Sequence, residues 1–309
     1  MEYKRLGNTK IEIPELGIGT WKLGADREAA YRSIRAGIDH GMRFVDTAEM
    51  YQNEDIVGNA IRGHDVFLAT KVSPHHFHYD DVIKACKESI KRLKVKKIDL
   101  YQLHWPNHRV DIGETVKAME KLCSEGLIDN IGVSNFSVEE LVEAQAAMSH
   151  NAIVSNQVEY SIMSRRIEHD GLLEFCKKEH VTVIAYSPLA RGEVFDRTSL
   201  VGRIVEEMAK AYKKTVAQVA LNYLIRQDGV VAIPKAENEA HIVEDAGASG
   251  WKLKDEDVAK IRKAVGDKDV RLAGDVAQKI LKSTGAWAAI MERLERAESG
   301  NERIDTLKY

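Results

Sequence analysis

Three short apolar runs decide the fold class: RFVDTA (43–48), VFLATK (66–71) and IDLYQLH (98–104). Each is rich in branched or aromatic apolar residues, as expected of strands that are buried on both faces. The stretches between such runs, for example 80–93, carry apolar residues at helical spacing. This alternation predicts parallel strands that are joined by helical crossovers.

The same alternation continues along the chain. Five further candidate strands lie at LGIG (16–19), IDNIGVS (128–134), AIVSNQ (152–157), VTVIAYS (181–187) and GVVAIP (229–234). Further candidate helices lie at 27–40, 113–125, 138–148, 166–178, 199–213 and 216–226. Ser137 with Glu140 fits a capping box, and Asp80 and Thr215 are predicted N-caps.

Eight strand–helix pairs favour an α/β fold of the (β/α)8 TIM barrel type. A doubly wound sheet is the alternative, and it usually carries a GxGxxG turn directly after its first strand. Gly17, Gly19 and Gly24 in GIGTWKLG do not have that spacing, so we predict the barrel. The opening YKRLGNTKIEIPE predicts a β-hairpin around Gly7-Asn8 that plugs one end of it.

The C-terminal region differs in character. We predict that residues 1–266 form the barrel and that residues 267–309 form a helical tail. Within 276–297 an apolar stripe recurs at helical spacing. Its members are Ile280, Leu281, Trp287, Ile290, Met291 and Leu294. We expect this helix to pack on the barrel or on a partner subunit.

Composition narrows the function classes. The chain has 309 residues and a net charge of −3, which gives no electrostatic reason to expect a nucleic-acid or membrane partner. The start lacks the apolar region of a signal peptide, and no run approaches about 18 apolar residues. The cysteines, Cys86, Cys123 and Cys176, form no metal spacing and are typical of reduced thiols in the cytoplasm. Either a monomer or a small homo-oligomer fits.

Four residues lie at the carboxyl ends of three predicted strands: Asp46, Tyr51, Lys71 and His104. In a barrel the carboxyl ends of the strands form the active site, so these side chains should converge. Tyrosine is a weak acid with a pKa of about 10, and a neighbouring ammonium lowers that pKa. The set could therefore protonate the oxygen of an aldehyde or ketone while a hydride reaches its carbon.

The ordered motifs of the chain resemble the aldo-keto reductase family from residue 3 to about 262. The motifs are DTAEMYQNE, ATKVS, LHWP, GVSNF, SNQVEYS, AYSPLARG and IPKA. The resemblance implies that Tyr51 is the general acid, that Lys71 and Asp46 tune it, and that His104 orients the substrate carbonyl. It also implies an NAD(P)(H)-dependent oxidoreductase that reduces aldehydes or ketones, such as small aldehydes, sugars and dicarbonyls.

The resemblance extends to the cofactor. The residues that lie beside the nicotinamide and the substrate mouth in the family correspond in this chain to Gly19, Thr20, Trp21, Asp46, Ser134, Asn135, Gln157 and Tyr186. Residues over the pyrophosphate match Ser187, Leu189 and Arg191, and those after the last strand match Ile233, Lys235, Ala236, His241, Glu244 and Asp245. Trp105 matches a residue of the substrate pocket, beside Trp21, Tyr51 and His104, with a buried core tryptophan as the alternative.

Three departures from the family pattern bear on cofactor choice. Ala236 replaces a serine, His241 an arginine and Asp245 an asparagine. A 2′-phosphate is best held by a bidentate guanidinium, whereas a histidine with a pKa near 6.5 is partly charged at neutral pH. NADPH remains the cofactor that the family implies, but we predict that NADH is also used and that NADPH preference grows as pH falls.

Two other functions stay open from the sequence. One is a sugar or polyol dehydrogenase that works mainly in oxidation with the same residues. The other is a regulatory subunit that senses the cofactor through the barrel and contacts a partner through the tail. The histidines of PHHFHYD, His75, His76 and His78, lack a matched ligand set, so we predict a solvated or pocket-rimming loop and no metal.

Overall fold

The computed structural model describes residues 1–266 and 283–293, and its first element is an antiparallel hairpin. Strand β1 (Tyr3–Arg5) pairs with β2 (Glu12–Pro14). The predicted turn lies between them, where Gly7 adopts a left-handed φ of 55° that glycine tolerates without steric cost. The predicted hairpin is therefore confirmed.

Eight parallel strands follow, and each pairs with the next strand along the chain. They are β3 (Ile18–Gly19), β4 (Phe44–Asp46), β5 (Phe67–Val72), β6 (Ile98–Leu103), β7 (Ile128–Ser134), β8 (Ile153–Glu159), β9 (Thr182–Tyr186) and β10 (Val230–Ala232). The last strand returns to the first, where Leu16 bridges Ala232 and Gly17 N–H donates to Ala232 O at 2.8 Å. The sheet thus closes into the predicted (β/α)8 barrel.

The hairpin covers the end of the barrel at which the strands begin. Leu6 and Ile13 are fully buried among apolar residues of the barrel interior. Thr182, the first residue of β9, accepts a hydrogen bond from Gly7 N–H at 2.7 Å through its hydroxyl. The opposite end of the barrel, where the strands finish, remains accessible for a site.

Helices lie between successive strands, and two more follow the last strand. In residues 1–266 they are α1 (Arg27–Asp39), α2 (Glu54–Ile61), α3 (Tyr79–Leu93), α4 (Ile112–Ser124), α5 (Val138–Ala147), α6 (Arg166–His169), α7 (Leu172–Lys178), α8 (Leu200–Tyr212), α9 (Val216–Ile225), α10 (Glu239–Ala246) and α11 (Asp255–Val265). As predicted, two helices, α8 and α9, separate the last two strands. In residues 1–266 and 283–293, none of the helices has the length and apolar character needed to cross a membrane.

Local capping signals explain several helix starts. The capping boxes of Ser137 with Glu140 and of Thr215 with Gln218 are both formed, which confirms those two predicted N-caps. The predicted N-cap at Asp80 is wrong, because α3 begins at Tyr79 and Asp80 lies in its first turn. The Glu114 carboxylate accepts the Tyr79 N–H there at 2.9 Å instead.

The single helix predicted over 166–178 is also wrong. Gly171 adopts a left-handed φ of 88° between α6 and α7. A left-handed residue cannot continue an α-helix, so the chain turns and starts again. The apolar spacing on the two sides of this break imitates one continuous helix.

Alternate residues of each strand point into the barrel, and their character changes along the strand. Apolar inward residues lie near the strand starts, and polar ones follow two residues later. The apolar ones on β4 to β6 are Phe44, Ala69 and Leu100, and the polar ones are Asp46, Lys71 and Gln102. The interior is therefore an apolar core under a polar layer at the carboxyl ends of the strands.

Part of the tail is described, as a helix over 283–293. Trp287 is buried, and its ring meets that of Phe175 at 5.5 Å in an edge-to-face contact. Arg293 donates to the carbonyls of Ala146 and Met148 at the end of α5. This helix packs on the barrel. Residues 267–282 and 294–309, with Ile280, Leu281 and Leu294, lie outside the described residues, and the division at 266 stays a prediction.

Candidate active site

The structure brings the four predicted catalytic residues together at the carboxyl ends of β4, β5 and β6. Asp46 is the last residue of β4, and Tyr51 ends a single 3₁₀ turn, Glu49–Tyr51, that follows it. Lys71 lies near the end of β5, and His104 follows β6 directly. Because these parallel strands are neighbours, their ends deliver the side chains to one place.

Lys71 and Asp46 form a buried ion pair. The Lys71 Nζ lies 2.5 Å from Asp46 Oδ1 and also donates to Thr47 O at 2.9 Å. Burial alone would lower the pKa of Lys71, but the Asp46 carboxylate and Tyr51 outweigh burial, so this pKa lies above its usual value. Lys71 is therefore charged at neutral pH.

The Tyr51 hydroxyl lies near the polar groups of Lys71 and His104. Its Oη lies 3.4 Å from Lys71 Nζ and 3.5 Å from His104 Nε2. Burial raises the pKa of Tyr51 above 10, and the Lys71 ammonium offsets only part of that rise. The expected net lowering of this pKa is therefore wrong. The phenol is fully protonated at neutral pH, which is the state that a proton donor needs.

His104 is a neutral imidazole. Burial, with a contribution from the Lys71 charge, lowers the pKa of His104 to about 3. Its Nδ1 is buried and has no hydrogen-bond partner among the described residues, while Nε2 faces Tyr51. With its proton on Nε2, this ring can donate a hydrogen bond to a carbonyl oxygen but cannot serve as a charged acid.

Trp105 lies at the mouth of the site. Its ring stacks on that of His104 at 4.1 Å, and 42% of the residue is exposed. The alternative of a buried core tryptophan is therefore wrong. Trp21, which is 44% exposed, lines the same mouth.

Two glutamines hold the other oxygen of Asp46. Gln157 Nε2 donates to Asp46 Oδ2 at 2.8 Å, and Gln102 Nε2 donates to the same oxygen at 3.1 Å. Sequence reasoning missed Gln102. It lies two residues before His104 on β6, so the two-residue period of a strand already placed it on the same inward face.

A network of polar side chains also lines the site. Tyr186 donates its hydroxyl proton to Asn135 Oδ1 at 3.0 Å, and Asn135 Nδ2 donates to Ser134 Oγ at 3.0 Å. Ser134 in turn donates to Gln157 O at 2.8 Å. Asn135 has a left-handed φ of 62°, which asparagine tolerates better than most residues. These groups are fixed before any ligand arrives.

Asp46, Tyr51, His104 and this network enclose a cavity of about 200 Å³, here called the inner cavity, which Lys71 does not line. The predicted site residues that line it are Gly19, Thr20, Trp21, Asp46, Tyr51, His104, Trp105, Ser134, Asn135, Gln157, Tyr186, Ser187, Arg191, Ile233 and Lys235. Gly19 allows the close approach of two strands, because a Cβ there would lie 2.7 Å from Ile233 O.

A second cavity of about 920 Å³, the outer cavity, continues from the first. The residues that line both are Trp21, Ser187, Pro188, Arg191 and Lys235. The predicted residues that only the outer cavity contains are Leu189, Ala236, His241, Glu244 and Asp245. Because they share these lining residues, the two cavities form one continuous groove, which offers a site for an extended dinucleotide with one end at Tyr51.

The charged side chains along the groove differ in their contacts and in their burial. The Arg191 guanidinium lies 5.7 Å from the Trp21 ring centre and 3.9 Å from the Glu159 carboxylate. Lys235 Nζ is paired with Glu237 Oε1 at 2.9 Å. Burial, reinforced by Glu244, raises the pKa of Asp245 to about 8. Sequence analysis did not foresee either the Lys235–Glu237 contact or the neutral state of Asp245 below pH 8.

The loop that carries His75, His76 and His78 follows β5, and two of these histidines each contact a different carboxylate. His76 Nδ1 lies 3.0 Å from Glu49 Oε1, and His78 Nδ1 lies 3.2 Å from Glu114 Oε1. Across residues 1–266 and 283–293 no three His, Cys, Asp or Glu side chains are grouped as metal ligands.

The sequence of this chain is similar to those of known proteins. The model of the aldo/keto reductase family matches residues 15–265. Methylglyoxal reductase YeaE of Escherichia coli (strain K12) is 38% identical over 262 residues, which cover 82% of this chain and 92% of that protein. Glyoxal reductase of Bacillus subtilis (strain 168) is 35% identical over 256 residues, covering 81% and 88%.

A solved structure of a similar protein has the same fold. The aldo/keto reductase of Klebsiella pneumoniae, in complex with NADP and acetate, superposes with a TM-score of 0.77 at 39% identity. The match covers 84% of this chain and 94% of that protein.

Proposed function

The chain belongs to the aldo/keto reductase family, and on that premise we propose that it reduces small aldehydes, ketones and dicarbonyls to alcohols with NADPH. One observation carries the proposal: the protonated Tyr51 hydroxyl lies 3.4 Å from a buried ammonium and 3.5 Å from a neutral imidazole. The names of the methylglyoxal and glyoxal reductases support dicarbonyls as the first substrates to test.

The residues divide the proton chemistry among them. Tyr51 gives its proton to the carbonyl oxygen, and His104 Nε2–H donates a hydrogen bond to the same oxygen. The Lys71 ammonium stabilises the phenolate that remains on Tyr51, and Asp46 holds that ammonium in place. Oxidation of an alcohol uses the same residues in reverse, with Tyr51 as the base.

The groove fits a nicotinamide dinucleotide, which supplies the hydride when bound. The fixed amide and hydroxyl groups of the inner cavity would hold a carboxamide, and Tyr186 would carry the ring. The remaining holders are Ser187, Leu189 and Arg191 for the pyrophosphate, and Lys235, Ala236, His241, Glu244 and Asp245 for the adenosine end.

We propose that NADPH is preferred only modestly over NADH. The structure of the Klebsiella relative with NADP supports NADPH as the cofactor of this fold. In this chain, however, the Lys235 ammonium that would meet a 2′-phosphate is already paired with Glu237. Ala236 offers no hydroxyl, and His241 is exposed in place of an arginine. If the ratio of NADPH affinity to NADH affinity stayed constant from about pH 6 to 8, the charge on His241 would not contribute to cofactor preference.

We also propose a cytoplasmic location. Cys86, Cys123 and Cys176 are all free thiols, and burial raises the pKa of Cys86 and Cys123 to about 12 and that of Cys176 further, so they are poorly reactive. Whether the protein is a monomer or a small homo-oligomer is best measured by light scattering.

A steady-state assay tests the proposed function. NADPH and NADH oxidation is followed at saturating cofactor with methylglyoxal, glyoxal, an aromatic aldehyde and an aldose. Tyr51→Phe is the control, and its cofactor affinity is measured separately by fluorescence. We expect turnover by the wild-type protein and a loss of about 10²- to 10⁴-fold in the variant, with cofactor binding retained. Cofactor binding without turnover in the wild-type protein would instead support a regulatory subunit.

A further inference from the structure

The Glu49 carboxylate joins the two segments that carry Tyr51 and Lys71. Glu49 begins the turn that Tyr51 ends, and only 9% of its side chain is exposed. Its Oε1 accepts a hydrogen bond from the backbone N–H of Ser73, two residues after Lys71. The same oxygen contacts His76 Nδ1 at 3.0 Å. One carboxylate oxygen thus connects the Tyr51 turn to the segment after β5.

The segment that receives Glu49 also contacts the loop after β6. A 3₁₀ turn spans Pro74–His76, and Asn107 Nδ2 donates to Pro74 O at 2.8 Å. Asn107 lies three residues after His104. The segments that carry Tyr51, or that follow Lys71 and His104, are therefore joined by side-chain hydrogen bonds outside the catalytic group itself.

Tyr51 needs such support because its own polar contacts are long. Its hydroxyl reaches Lys71 and His104 at 3.4 and 3.5 Å, near the upper limit for a hydrogen bond. Contacts of this length do not fix a side chain firmly. The position of Tyr51 then depends on its short turn, and proton transfer is sensitive to displacements of about 1 Å.

We propose that Glu49 is a positioning residue, which holds Tyr51 in register with Lys71 and His104 by tying its turn to the backbone after β5. The proposal rests on the proposed function, because it assigns Glu49 a role in the same proton transfer. Glu49 itself touches neither Tyr51 Oη nor the inner cavity in the described contacts.

The chain offers a matched control for Glu49. Glu114 also accepts a backbone N–H, that of Tyr79, and also contacts a histidine Nδ1, that of His78. Glu114 connects α4 to the start of α3, so it makes the same contacts without joining the Tyr51 turn to anything. Glu49→Ala, Glu49→Gln and Glu114→Ala are therefore compared for kcat, KM, NADPH affinity and melting temperature.

The expected result separates position from stability. Glu49→Ala should lower kcat about 10- to 100-fold while NADPH affinity changes less than 2-fold. Glu49→Gln keeps an acceptor oxygen for Ser73 N–H and should recover kcat to within about 3-fold of the wild type. Glu114→Ala should keep wild-type kcat.

Equal kcat in Glu49→Ala and Glu114→Ala would overturn the proposal, as would a Glu49→Gln variant as slow as Glu49→Ala. A wild-type protein that oxidises neither cofactor with any substrate would overturn the proposed function and this inference with it. The two failures are therefore distinguishable, because the first requires an active wild-type enzyme.

Discussion

Two lysine–carboxylate pairs lie at or beside the groove, and the pairs differ in burial. In the inner pair, Lys71 with Asp46, only Asp46 lines the inner cavity, and the side chains are 0% and 2% exposed. In the outer pair, Lys235 and Glu237 both line the outer cavity, and the side chains are 33% and 55% exposed. A buried pair is strongly coupled to the fold, whereas water screens an exposed pair. We therefore expect large effects from substitutions in the inner pair and small effects from substitutions in the outer pair.

The largest expected effect is at the inner pair. Lys71→Met leaves the Asp46 carboxylate buried without its counter-charge, so we expect a loss of about 3–5 kcal/mol in the free energy of unfolding, measured by urea titration. Turnover should also fall by at least about 10²-fold, because the phenolate on Tyr51 loses its stabilising charge.

Two variants sharpen this prediction. The double variant Asp46→Asn, Lys71→Met should regain much of the stability but none of the turnover. Lys97→Met removes an ion pair of the same 2.5 Å length with Asp129, in which the side chains are 52% and 36% exposed. It should cost less than about 1 kcal/mol. Equal losses in Lys71→Met and Lys97→Met would contradict the comparison.

A smaller effect is expected at Asp245, which is buried beside the outer cavity. Its pKa is about 8 in the folded protein, against an ordinary value of 3.8. Folding is therefore accompanied by uptake of a proton when the pH lies between these two values. The stability present below about pH 4 is therefore lost progressively as pH rises towards 8. Asp245→Asn should match the wild type near pH 4 and melt at increasingly higher temperature than the wild type up to pH 8.

Glu239→Gln, on the same helix, is the control for this titration. Its side chain is 50% exposed and pairs with Arg32, so its melting temperature should follow the wild type at every pH. An Asp245→Asn protein that also follows the wild type from pH 4 to 8 would contradict the burial of an uncompensated carboxyl group.

The smallest effect is expected at the outer pair. Glu237→Gln frees the Lys235 ammonium for a 2′-phosphate, so NADPH affinity should rise about 2- to 5-fold relative to NADH affinity. Fluorescence titration of both cofactors measures this ratio, and kcat should stay unchanged. Glu239→Gln removes a charge two residues away that is paired with Arg32 and should leave the ratio alone. A fall in NADPH affinity in Glu237→Gln would mean that Glu237 helps to hold the cofactor.

Local patterns predicted the barrel well, because each of its strands is an apolar run and the four predicted catalytic residues lie at a strand end or in the loop that follows. Tertiary effects were harder to foresee. The left-handed Gly171 divides a helix whose apolar spacing is continuous across it. The direction of the Tyr51 pKa depends on how deeply the phenol is buried, and a sequence motif does not contain that depth. The role of Gln102 could have been predicted from the sequence, because the two-residue period of a strand places its side chain on the inward face, towards Asp46.

The central claim, that Tyr51 and not His104 is the acid, is tested most directly by single-turnover reduction of methylglyoxal by the protein saturated with NADPH, from about pH 5.5 to 9.5. The His104 pKa of about 3 leaves this ring neutral throughout, and burial keeps Tyr51 protonated. The rate constant should therefore stay within about 2-fold across the range and be lost in Tyr51→Phe. A rate that falls with a midpoint near pH 6 to 7 and survives in Tyr51→Phe would make His104 the acid instead.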